Sequence, residues 1–343
     1  MDSLTQAVLG ATVGEVVLGK KVGNKAPLWG AVAGTIPDLD VVLNFFVGEV
    51  QSTLWHRTFS HSLFVLTVAA PLLGYLVYQL YRRKSSATFS DWTMLFFWGL
   101  ITHPLLDGCT NYGTMLLYPF SMERIAWRTI FIIDPLFTLP LLIVTITVLF
   151  MSKKSLRRRR TAIVGLSISS VYLLITFAVK AHVSNVVTAS LREQNITYKK
   201  FMTSPAFFNN ILWSTVVKSE AGYHVGYYSL LDNDRHIEFK YLPQNEALLR
   251  PYLEAASPDK QQMIRDLMVF SERFYAMKKV EQGIHLNDLR FGIMTGWFDL
   301  SKDFIFSFHI FNQGETVRVD RAASEVQPSQ NDFDRLLNRT LGN

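Results

Sequence analysis

The sequence predicts an α-helical membrane bundle of about six transmembrane helices over residues 1–180, followed by an extramembrane α+β domain with an antiparallel sheet over 181–343. Three observations predict it. Nearly all the long apolar runs lie before residue 180, and the remainder mixes polar and apolar positions. Lys and Arg gather in short stretches beside those runs ("KKVGNK", "RRK", "KKSLRRRR"), where they orient membrane proteins. Beyond residue 210, β-branched and aromatic stretches alternate with turn residues, as strands do.

The first run, residues 4–19, is moderately apolar and rich in small residues that let membrane helices approach closely. The second, about 26–47, carries "TIPDLD" in its middle, where Pro37 removes a backbone donor and disturbs helix continuity. A third covers His61 to Tyr81, a fourth about 92–108, a fifth about 130–151 and a sixth about 161–180. With loops 20–25, 82–91 and 152–160 in the cytoplasm, three, three and six basic residues face inward, against three outward (Arg57, Arg124, Arg128). The chain is then integral to the cytoplasmic (inner) membrane, and domain 181–343 is extracytoplasmic.

In that domain, 182–200 is expected to continue as a polar helix or linker. Strands are expected at 211–219, 223–231 and 236–242, with "EAG" and "DND" as hairpin connections. A helix from Pro258 to about Lys279 follows, with Ser257 as its N-cap. Further strands are expected within 285–297, 303–312 and 316–321, then a flexible tail over 324–330 and a short helix around 332–338. Arg290 and Trp297 have the chemistry to contact a substrate at the membrane surface; His224, His236, His285 and His309 read as surface or strand histidines.

Hydrophobic residues make up 49% and aromatic residues 13% of the chain, which is high for a soluble protein. The net charge of +6 sits largely beside the apolar runs, so nucleic acid is not an expected partner; the lipid bilayer is. Cys109 is the only cysteine, which excludes an intrachain disulfide and thiolate metal clusters. The start, "MDSLTQ", lacks the basic stretch of a cleavable signal peptide.

Function is written between Thr35 and Asp107, where Asp38, Asp40, His56, His61, His103 and Asp107 lie in and beside apolar segments. One ionisable group at bilayer depth costs at least about 2.5–3.5 kcal/mol, so a cluster of them calls for a watery cavity or a bound charge. His103 and Asp107 are four apart and share a helix face. His56 and His61, five apart, do not, which places His56 in a loop and His61 at a helix start. Imidazole with carboxylate suits a divalent metal, zinc first and manganese or iron next, and the set is large enough for one or two ions. Taken singly, each residue can equally be a buried polar group bonded to a neighbouring helix or to water.

The order Asp2, "PDLD", "HRTFSHS" and "HPLLDGCTNYGT", with "IDPL" around Asp134, resembles the YdjM-type family of membrane-bound metal-dependent hydrolases over about residues 1–180. Where many members carry Thr-His near the start, this chain has Thr5 and Gln6. The His-x-x-x-Asp element is also similar to that of zinc-dependent phospholipase C and related nucleases. The resemblance implies metal-assisted hydrolysis of a phosphoester, lipid or lipid-linked substrate near the extracytoplasmic face.

On that reading Asp40 or Asp2 takes a proton from water, and Arg57 pairs with a phosphate oxygen or is a surface charge at a helix start. Asn111 and Tyr112 orient a head group, and Asp134 is a further ligand or fixes a histidine tautomer. Two rival readings are a metal or proton transporter and a membrane anchor for an outer binding domain. The fifth and sixth runs bear little charge besides Asp134 and Lys180, which counts against an ion pathway.

Overall fold

A computed structural model describes residues 1–293, 298–300, 302–322 and 329–342. It divides into two compact units, one of Met1–Val42, Trp55–Val179 and Phe207–Asn210, the other of Leu43–Leu54, Lys180–Ala206 and Ile211–Asn343.

The helices of the first half are α1 (Ser3–Val22), α2 (Lys25–Thr35), α3 (Asn44–Val47), α4 (Glu49–Trp55), α5 (Leu63–Tyr81), α6 (Phe89–Gly108), α7 (Pro135–Phe150) and α8 (Leu156–Glu193). Among the described residues, three stretches are long and apolar enough to cross a membrane: Lys25–Val47, α5 and α8; α7 is apolar but shorter, at 16 residues. The other two of the six expected runs, α1 and α6, bury polar side chains such as Gln6, Glu15, His103 and Asp107, which lowers their hydropathy. α5 and α8 instead expose Leu72, Leu76, Leu174 and Ile175, as lipid-facing helices do.

α1 and α2 lie backbone to backbone. A Cβ placed on Gly30 would fall 2.2 Å from the Gly10 carbonyl oxygen, and one on Gly14 2.4 Å from that of Ala26. Such close approach is what small residues permit between membrane helices. Gly30→Leu is therefore expected to cost more than the roughly 1–3 kcal/mol of ordinary overpacking, read as a lower unfolding midpoint in detergent. Trp92, Leu95, Phe96 and Leu100 of α6 fill a core with Leu18, Ala33, Leu66 and Ala70.

The Pro37 break is real. α2 stops at Thr35 and the chain continues as a 3-10 helix, Ile36–Leu43, which carries Asp38 and Asp40. α5 begins at Leu63, with Ser62 as its cap accepting from Val65 N at 3.3 Å, so His61 sits one residue ahead of the cap rather than inside the helix. α7 starts at Pro135, later than expected, because Asp134 caps it.

The second unit contains two antiparallel four-stranded sheets, not the single sheet expected. One runs in the order β1 (Lys200–Pro205), β2 (Leu212–Lys218), β3 (Gly222–Ser229), β4 (Lys240–Pro243); α9 (Arg250–Ala255) and α10 (Pro258–Phe270) follow. The other orders β5 (Tyr275–Val280), β6 (Gly283–Asp288), β7 (Ser307–Gln313) and β8 (Thr316–Arg321), with α11 (Gln330–Thr340) beyond it. Met202, Val216, Tyr223, Phe274, Ala276 and Phe304 share one core that joins strands of both sheets.

α8 runs to Glu193, and β1 occupies residues the helix-or-linker reading had passed over. α10 ends at Phe270, well before Lys279, because Glu272 and Arg273 turn through φ of 51° and 60° and the chain re-emerges as β5. "EAG" joins β2 to β3 tightly, whereas "DND" opens a longer connection to β4. Trp297 and residues 324–328 of the expected flexible tail lie outside the described residues, and Ser329 caps α11. Arg290 is buried against Asp288, 2.6 Å away, a structural pair.

Candidate metal centre

Four side chains from three separate segments meet in the first unit. Asp38 comes from the 3-10 turn after Pro37, His61 from the turn before α5, and His103 and Asp107 from one face of α6. The His61 and His103 Nε2 atoms are 3.2 Å apart. His61 Nε2 lies 3.3 Å from Asp38 Oδ1 and 3.2 Å from Asp107 Oδ2; His103 Nε2 lies 3.4 and 3.3 Å from the same two oxygens. These five distances are the edge length of a tetrahedron whose centre is about 2.0 Å from each corner, the distance at which zinc takes imidazole nitrogen and carboxylate oxygen, and all four ligand atoms lie within 4.8 Å of one another.

The hydrogen bonds made by the two rings agree with that geometry. His103 Nδ1 is 2.5 Å from the Gly34 carbonyl, which can only accept, so Nδ1 carries the hydrogen and a neutral ring turns its Nε2 lone pair inward. His61 Nδ1 is likewise engaged, by Ser60 Oγ at 2.9 Å. Asp38 Oδ1 and Asp107 Oδ2 are buried and accept no hydrogen bond. Two buried carboxylate oxygens facing two imidazole nitrogens form a donor set that could hold a cation between them. The residues therefore fit a divalent metal. His61, His103 and Asp107 are fully buried, and only Asp38, with a 22% exposed side chain, gives the centre access to solvent.

Around the four sits a second layer. Asp107 Oδ1 accepts from Gln6 Nε2 at 3.0 Å and from the Met1 amino group, while Arg57 Nε stands 3.2 Å from Asp107 Oδ2. Arg57 is itself buried, and its Nη1 donates to Thr110 Oγ1 at 3.1 Å. Asp40 lies beside the four, its Oδ2 3.6 Å from His61 Nδ1: it takes His56 Nδ1 at 2.7 Å on Oδ1, and Ser60 Oγ at 2.5 Å with Arg57 N at 3.2 Å on Oδ2. Asp38, Asp40 and His56 form a second, more open group of potential ligands. Burial pulls the His56 imidazole below its ordinary pKa, with Asp40 opposing.

The remaining expected residues are placed elsewhere. Asp2 caps α1, accepting from Thr5 N at 3.0 Å and from Thr5 Oγ1 at 2.5 Å. Asp134 caps α7 through Leu136 N and Phe137 N and takes Tyr172 Oη at 2.7 Å. Neither belongs to a ligand group among the described residues. Tyr112 packs edge-on to His56, ring centres 5.1 Å apart, and lies under the Arg57 guanidinium at 5.0 Å; Asn111 sits half-buried in the same bend after α6.

Sequence reasoning passed over Ser60, Thr110 and the Gly34 carbonyl, which orient ligands. Gln6, which stands where many members carry His, spans Asp107 and the His103 carbonyl, 3.2 Å away. The only available signal was its place one helical turn from Asp2 on α1.

Residues 1–183 match the family described as YdjM inner membrane protein. The uncharacterized protein YfhP of Bacillus subtilis (strain 168) is 29% identical over 142 residues, covering 39% of this chain and 42% of that protein. The chain thus spans less than half of that relative's length. No solved structure matches.

Proposed function

Because the chain belongs to the YdjM inner membrane protein family, we propose that it is a membrane-embedded, metal-dependent hydrolase of phosphoester, lipid or lipid-linked substrates. The observation that carries this reading is the convergence of Asp38, His61, His103 and Asp107, with two buried carboxylate oxygens that accept no hydrogen bond. Asp38, His61, His103 and Asp107 would hold a divalent metal, which would lower the pKa of a bound water toward neutrality.

The chain's own groups divide the remaining work. His56 is the proton acceptor: Asp40 holds its Nδ1 and so presents Nε2 for a proton. Asp40, with both oxygens already bonded, orients that ring and does not titrate in its place. Arg57 spends its charge on Asp107 and Thr110, so it is a positioning residue for a ligand and not a clamp on substrate phosphate. Arg57→Gln is expected to weaken metal affinity by about 10–100-fold, as loss of such supporting contacts does, measured by competition with a chelating dye. Tyr112 forms a wall beside His56 that suits the body of a head group.

The placement we propose is about six spans in residues 1–180, the inner membrane as location, and the domain 181–343 on the extracytoplasmic side. Basic-residue asymmetry supports this orientation. It predicts that Lys279→Cys, at an exposed position in β5, is labelled by a membrane-impermeant maleimide in intact spheroplasts, since native Cys109 is buried. Labelling only after lysis would reverse the orientation.

The activity is tested by metal analysis of the detergent-purified protein alongside hydrolysis of model phosphodiesters and phospholipids. Expected are bound transition metal and turnover that disappears on chelation and in His61→Ala. Bound metal without turnover on any member of the panel would remove the hydrolase reading in favour of metal handling.

A further inference from the structure

At the other end of α1, away from the metal centre, lies a cavity of about 650 Å³ between the α1 C-terminus, the α7–α8 connection and the start of α8. Gln6 and Lys20 are separated by fourteen residues of α1. At 1.5 Å rise per residue that is about 21 Å, so the two sites are distinct. Lys20 and Lys21, Lys153 and Lys154, and Arg158, Arg159 and Arg160 line the cavity, and Glu15 is the one acidic side chain among its lining residues.

Glu15 does not neutralise that charge. Both of its oxygens are held by buried Arg158, at 2.7 Å to Nε and 2.8 Å to Nη2. Lys21 reaches Asp91 at 2.6 Å, outside the cavity wall. Lys153 and Lys154 precede α8 and Arg159 and Arg160 lie in its first turns, with Arg159 Nε donating to the Val16 carbonyl at 3.2 Å; Ser155 and Ser86 add hydroxyls, and the start of α8 adds the positive end of the helix dipole. The rim carries Leu156 and Ile163, both exposed and apolar, at the foot of a helix long enough to cross a bilayer. A basic cavity between helices with an apolar rim at the bilayer edge suits a phosphate group attached to acyl chains.

We infer that this cavity is a binding site for the phosphate head group of an anionic phospholipid, separate from the metal centre. The full-length protein in neutral detergent is titrated with phosphatidylglycerol, phosphatidylcholine or inorganic phosphate, with binding read by thermal shift and by adducts in native mass spectrometry. Phosphatidylglycerol is expected to bind saturably and in preference to phosphatidylcholine, and inorganic phosphate to compete only at much higher concentration.

The triple change Lys153→Gln, Lys154→Gln, Arg159→Gln is expected to weaken phosphatidylglycerol binding at least about tenfold, each basic group near a membrane surface contributing. Removing the same number of charges outside the cavity, in Arg82→Gln, Arg83→Gln, Lys84→Gln, should leave binding within about twofold. Unchanged metal content in the cavity variant shows that it is folded. Equal loss in both triple variants, or no preference between the two lipids, overturns the proposal. Inorganic phosphate binding as tightly as the lipid would replace the lipid with a soluble anion and also overturn it.

Discussion

Asp107→Ala is expected to lose the metal and a large part of the stability together. Asp107 sits at zero side-chain exposure between the two ligand imidazoles and Arg57. Its removal takes away one corner of the tetrahedron and leaves a buried guanidinium facing no carboxylate. Breaking a buried ion pair from one side costs about 3–5 kcal/mol, so the unfolding midpoint in detergent should fall sharply while metal content falls toward zero. The two losses can be separated. Adding Arg57→Met should restore part of the stability, since one of the two stranded cations, Arg57 and the buried Met1 amino group, is gone, but none of the metal. An Asp107→Ala protein that keeps its full metal complement would show that the four residues do not act as one site.

Glu15→Ala is expected to produce a comparable loss of stability with a different signature. Glu15 and Arg158 form a two-pronged pair at 3% or less exposure, tying the middle of α1 to the start of α8. With Glu15 gone, Arg158 retains only the Met151 carbonyl, 2.8 Å from its Nη1, among its described partners. The cost is again about 3–5 kcal/mol, and Glu15→Ala combined with Arg158→Met should recover most of it. Whatever fraction remains folded should bind metal normally, because the pair lies far along α1 from Gln6. A loss below about 1 kcal/mol would place this pair in the class of exposed ion pairs, at odds with its burial.

Several parts of this arrangement can be read from residue order alone. The four-residue spacing of His103 and Asp107 requires a shared helix face, and both appear at the centre. Pro37 requires a break, and the break carries Asp38 to the same place. The strands around Trp213 and Tyr223 are legible because β-branched and aromatic residues concentrate there between turn residues. Other features depend on contacts between distant segments. Asp2 and Asp134 look like ligands in a list of acidic residues, yet each precedes a helix and accepts from its first N–H groups, which is the role favoured by Asp at that position. Gln6 and Ser60 become meaningful only when α1, α6 and the turn before α5 are brought together. The end of α10 was invisible because residues 271–279 contain nothing that forbids a helix; only the left-handed turn at Glu272 and Arg273 ends it.

The central claim is that Asp38, His61, His103 and Asp107 hold one cation. X-ray absorption at the metal edge of the zinc-loaded protein tests it most directly. Four nitrogen and oxygen neighbours at about 2.0–2.1 Å, with outer-shell scattering from two imidazoles that is lost in the His61→Ala, His103→Ala double variant, is the expected spectrum. A zinc ion surrounded by oxygen alone, with no imidazole scattering to lose, would contradict the account.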